Sequence, residues 1–68
     1  MDRARKLYYY KHVVKRYLRD QLIHVNESKS DMERSFYEGR YDVQLTEFAR
    51  ALGVNEKHLD AIIKKEQI

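Results

Sequence analysis

The chain has no cysteine, no proline and no tryptophan, only two glycines, and no apolar run longer than a few residues. Without cysteine, disulfides and thiolate metal sites are excluded, so the fold must rest on apolar packing within the chain or shared with a partner. Without proline, and with glycine confined to Gly39 and Gly53, little in the sequence opposes helix. The short apolar runs contain no candidate membrane span. The Arg/Lys-rich amino end is not followed by the hydrophobic segment and cleavage site of a signal peptide. A cytoplasmic setting is the expectation.

At 68 residues there is room for one domain, because a chain this short buries only about 60% of the surface its unfolded form exposes. A large enclosed active site does not fit that size. There is no Gly-rich phosphate loop and no serine in a nucleophile signature. The carboxylate pairs Glu33 with Glu38 and Glu56 with Asp60 fall on helical surfaces rather than in a pocket. His12, His24 and His58 are too dispersed to form a metal set. No catalytic residue, metal, cofactor or small-molecule substrate is expected.

The net charge of +3 is unevenly spread. Residues 1–24 carry seven basic residues against two acids, a local +5, whereas residues 25–68 carry seven against nine, a local −2. A basic segment of this kind suits a polyanion or is the solvated side of an amphipathic helix.

From Arg3 to about Val25 the residues Leu7, Tyr10, Val14, Tyr17, Leu18, Leu22 and Val25 recur at three- and four-residue steps, which predicts one long amphipathic helix spanning 1–25. Arg5, His12, Arg16 and Arg19 line up on another face with Lys15 beside them, and Tyr9, Val13 and Ile23 fall between the two stripes. Of the three consecutive tyrosines, Tyr10 and Tyr8 are expected in the core and Tyr9 exposed or at an interface. Residues 26–30, NESKS, interrupt the pattern, and Ser30 followed by Glu33 fits a capping box for a second helix over 31–38. Gly39 is expected to end it, Asp42 to cap a third helix over 43–52, and Asn55 to cap a fourth after the turn at Gly53. The expected fold is all-α: a single compact four-helix domain over 1–68.

The segment LTEFARALGVNEKHLDAIIKK, residues 45–65, carries the most information. Ala49 is a small residue placed for a close helix crossing, Gly53 follows four positions later at a tight turn, and Val54 comes directly after it. Phe48, Leu52, Leu59 and Ile62 supply apolar knobs. This spacing resembles the helix-turn-helix of phage repressors, Cro-type proteins and related small bacterial regulators, and the likeness covers about a third of the chain.

The resemblance implies a helix-turn-helix over 43–66 and sequence-specific binding of double-stranded DNA by a nucleoid-associated regulator of transcription. Residues facing a major groove would be Asn55, Glu56, Lys57, Asp60, Ala61 and Lys64. Phosphate contacts would come from Arg5, Lys15, Arg16 and Arg19 on the first helix and Gln44, Thr46 and Arg50 before the turn. A homodimer is expected on physical grounds, since one short domain makes few phosphate contacts and two copies on adjacent half-sites combine their free energies. The spare apolar residues Tyr9, Val13 and Ile23 are its expected interface. Glu56 and Asp60 depart from the usual habit of a reading helix. They favour the alternative, in which the same scaffold docks on a host regulatory protein as an inhibitor or adaptor.

Overall fold

The computed structural model describes residues 2–66, nearly all of them helical. Helix α1 (Arg3–Tyr9) runs through a π-helical turn (Tyr10–Val14) into α2 (Lys15–Glu27), so the amino-terminal third forms one continuous rod. Then come α3 (Asp31–Leu52) and α4 (Glu56–Glu66). No helix among the described residues is long and apolar enough to cross a membrane.

Caps explain most boundaries. The Asp2 carboxylate accepts the Arg5 N–H at 2.8 Å, and the Ser30 hydroxyl accepts the Glu33 N–H at 3.1 Å. Each satisfies a donor that the first helical turn leaves without a partner. At the end of α2 the Ser28 hydroxyl donates to the His24 carbonyl at 2.7 Å, so the NESKS break holds.

The expected break at Gly39 does not occur, and α3 continues through it for 22 residues. A mid-helix glycine costs about 1 kcal/mol relative to alanine. Against that stands the burial of Tyr41 and Leu45, which only a continuous helix aligns with Phe48 and Leu52. Burial of two large side chains outweighs the glycine cost, and Asp42 is a helical residue rather than a cap.

The core is small. Val14 and Leu18 come from the amino-terminal rod, Tyr41, Leu45, Phe48, Ala49 and Leu52 from α3, and Leu59 and Ile63 from α4. Ile63 is fully buried and Ile62 only half-buried, which corrects the expectation for Ile62. Leu59 and Ile63 lie four residues apart and stack on one face, leaving Ile62 on the flank. Leu7 of the predicted stripe is 54% exposed, and Tyr8, expected inside, is 66% exposed with its ring 4.3 Å from that of His12.

The π-helical turn explains these shifts. In a pure α-helix residues eight apart differ in direction by roughly 80°. A wider turn advances less per residue and removes most of that difference. Tyr9 and Tyr17 consequently meet the same ring, packing edge-on against Phe48 at 6.0 and 5.8 Å between centroids. The same change of phase takes Arg5 out of line with Arg16 and Arg19.

Candidate nucleic-acid interface

The turn between α3 and α4 is built on Gly53, the only described residue with positive φ, at 70°. A residue with a Cβ is strained there. The Val54 N–H donates to the Ala49 carbonyl at 3.0 Å and the Gly53 N–H to the Arg50 carbonyl at 3.2 Å, which closes α3. Two residues later the Asn55 side-chain oxygen accepts the N–H groups of Lys57 at 2.8 Å and His58 at 3.3 Å. Asn55 is therefore committed to capping α4.

Three carboxylates pin α4 at its start, middle and end. Glu56 accepts the Thr46 hydroxyl at 2.7 Å. Asp60 accepts the Tyr41 hydroxyl at 2.6 Å and pairs with Lys64 of its own helix at 3.2 Å. Glu66 accepts the Tyr10 hydroxyl at 3.2 Å and the Lys15 ammonium at 3.1 Å. Both phenols are held protonated. Burial, followed by the charge and hydrogen bond of Glu66, pushes Tyr10 up to about 12. Burial and the Asp60 bond push Tyr41 up further.

These bonds change what α4 presents outward. Glu56 and Asp60 turn towards α3 and line an open cleft of about 520 Å³ with Asp42, Leu45 and Lys57. Lys64 lines the same cleft, and the exposed face of α4 carries Glu56, Lys57, His58, Ala61, Lys64 and Lys65. The exposed side chains His58 and Lys65 were not among the expected readers, although each follows from the helical phase of Leu59 and Ile63.

The basic side chains Lys11, Lys15, Arg16 and Arg19 line a second open depression together with Asp20 and Ile23. Lys15 reaches across to Glu66, and Leu22 shares a concavity with Tyr41 and Lys64. The flank of α2 next to this basic surface thus lies against the carboxy-terminal half of α4.

The other expected phosphate contacts are scattered. Thr46 donates to Glu56 or to the Asp42 carbonyl, and Arg50 is exposed 4.0 Å from Glu47. Gln44 lies among Tyr17, Phe36 and Val43, on another flank of α3. Arg5 is exposed on α1. The expected interface trio is also divided. Tyr9 packs on Phe48 of its own chain, Ile23 edges the basic depression, and Val13 is 41% exposed.

Comparison with protein families, curated proteins and solved structures finds no match to this chain. The functional reading therefore rests on geometry and charge.

Proposed function

We propose that this protein binds double-stranded DNA, with α4 turned to the major groove and the basic face of α2 on the phosphates. The observation that carries the reading is the engagement of Glu56 and Asp60 with Thr46 and Tyr41. It ties both acids to α3, Glu56 staying exposed and Asp60 half-buried, and sets Lys57, His58 and Ala61 beside them on the exposed surface near the start of α4. Two further features support it. The α3–Gly53–α4 corner has the tight turn and capped second helix that groove-reading pairs use. The Lys15–Glu66 bridge brings the basic flank of α2 alongside α4, so phosphate neutralisation and base contact fall on neighbouring surfaces.

The test is a salt titration of binding to mixed-sequence duplex. Neutralising each phosphate releases counterions, so log K should fall with log salt by about 0.9 per contact. A slope of about three or more fits the basic face. A flat response would discard the reading.

The acidic wall of the α3–α4 cleft, formed by Asp42, Glu56 and Asp60, favours a second reading, a host regulatory protein docked through a basic segment. That reading predicts capture of a protein partner from nuclease-treated lysate and loss of capture when Asp42 and Glu56 are neutralised.

A further inference from the structure

Helix α3 is apolar on two opposite sides. One carries the core residues Tyr41, Leu45, Phe48 and Leu52. On the other stand Met32, Phe36 and Val43, which are 84%, 57% and 61% exposed, with Gly39 between them. The steps 32, 36, 39, 43 are four, three and four residues, the spacing of a coiled-coil seam. A Cβ placed on Gly39 would meet nothing within 4 Å. Packing within the chain therefore gives no reason for a glycine in the middle of this helix.

We propose that α3 pairs with α3 of a second copy in antiparallel orientation, the two-fold axis passing between Tyr37 and Glu38. Size matching sets this register. Each Phe36 lies over Gly39 of the second copy, filling the space its missing side chain leaves, and each Met32 meets Val43. Charge matching agrees with it independently. The flanking residues Glu33 and Arg40 come opposite each other twice, once on either side of the axis, and Ser35 comes opposite Asp42. A parallel in-register pair fits worse: it sets Gly39 against Gly39 and leaves a gap, and it brings Asp42 beside Glu47 of the second copy. Arg40 is already held at the edge of the stripe, its guanidinium 5.6 Å from the Phe36 ring centroid and bonded to the Tyr17 hydroxyl at 3.3 Å.

This pairing differs from the expected interface at Tyr9, Val13 and Ile23, and it stands on α3 alone, independently of any DNA binding. It has a geometric consequence. Glu33 and Arg40 lie on the α2 flank of α3, as the Arg40–Tyr17 bond marks, and Thr46 contacts α4 on the other flank. The axis therefore places both α4 helices on the same side of the paired α3 helices. Their starts, fixed by Thr46, are roughly 26 Å apart along the helix direction at 1.5 Å per residue.

Sedimentation equilibrium of the full chain from micromolar to near-millimolar concentration tests the proposal. A monomer–dimer equilibrium is expected, and a chain that stays monomeric throughout overturns it. Glu33→Arg and Arg40→Glu should each weaken the dimer by about tenfold, since each puts like charges together twice. The double variant, with the charges exchanged, should return to within about threefold of the wild type. A dimer equally weak in the double variant refutes this register. Gly39→Leu separates fold from association: it should raise the melting temperature of the dilute monomer, as a better helix former in open space, and weaken the dimer. Unchanged association in Gly39→Leu and in Phe36→Asp would show that the contact lies elsewhere.

Discussion

The Tyr41 hydroxyl donates to the Asp60 carboxylate across 2.6 Å, joining the middle of α3 to the middle of α4. Only α3 running unbroken past Gly39 places Tyr41 on the core side, so this bond depends on the continuity of that helix. Removing the donor with Tyr41→Phe leaves Asp60 its Lys64 partner and should cost about 1–2 kcal/mol, the range for a partly screened bond to a charged group. Asp60→Ala should cost more, because the phenol then loses its acceptor. Urea unfolding of both variants against the wild type measures these costs, and a Tyr41→Phe variant as stable as the wild type would mean the bond contributes nothing.

The two raised phenols make a pH prediction with a definite sign. Folding favours the protonated form of Tyr10 and Tyr41, whose ordinary value is 10.0. Their contribution is complete below that value. It is lost as pH rises, because the unfolded chain gives up protons that the folded chain keeps until about 12 at Tyr10 and beyond that at Tyr41. Stability should therefore fall from pH 10 upward. Ultraviolet titration of tyrosinate should show a late phase in the folded protein that is absent in denaturant and that Tyr10→Phe and Tyr41→Phe each diminish. A late phase that neither variant changes would overturn the assignment.

The two glycines should respond in opposite directions. In the dilute monomer Gly39→Ala should stabilise by about 1 kcal/mol, the helix-propensity difference, since the added methyl meets open space. Gly53→Val should destabilise by about 1 kcal/mol or more, because a β-branched residue is strained at a φ of 70°. For a domain of this size each change of 1 kcal/mol moves the melting temperature by roughly 4–8 °C. A stabilising Gly53→Val would remove the tight turn.

Local chemistry explains which features were legible in the sequence. Ser30, Gly53 and Asn55 were readable because a cap or a left-handed turn needs a particular residue at one position, and Phe48, Leu52 and Leu59 because their spacing follows the helical period. Gly39 misled because glycine ends helices only where tertiary packing agrees, and Tyr41 and Leu45 lie just beyond it. The π-helical turn at Tyr10–Val14 has no local signature. It appears once Tyr9 and Tyr17 must share Phe48, 39 and 31 residues away in the chain. For the same reason the direction of Glu56 and Asp60 was hidden: their partners Thr46 and Tyr41 are fixed by how α3 and α4 cross. The outer stripe of α3 was obscured because the expected break at Gly39 divided it.

Glu56 gives the cleanest test of the proposed DNA surface, since its substitution separates charge from structure. Glu56→Gln keeps an oxygen that can accept the Thr46 hydroxyl, so the fold should be unchanged by thermal unfolding. The variant has one negative charge fewer beside Lys57 and Asn55, where a phosphate or base edge would approach, and binding to every duplex should strengthen by a similar factor. Arg16→Ala should do the reverse, weakening binding to all sequences and lowering the salt slope by about 0.9. Lys57→Ala should differ from both, relaxing the preference at one base position by about 1–3 kcal/mol if its ammonium meets a guanine edge. The three variants thus distinguish repulsion, phosphate anchoring and base reading on one folded scaffold. If Glu56→Gln leaves duplex affinity unchanged while abolishing capture of a protein partner, the α3–α4 cleft is a protein-docking surface and α4 does not face DNA.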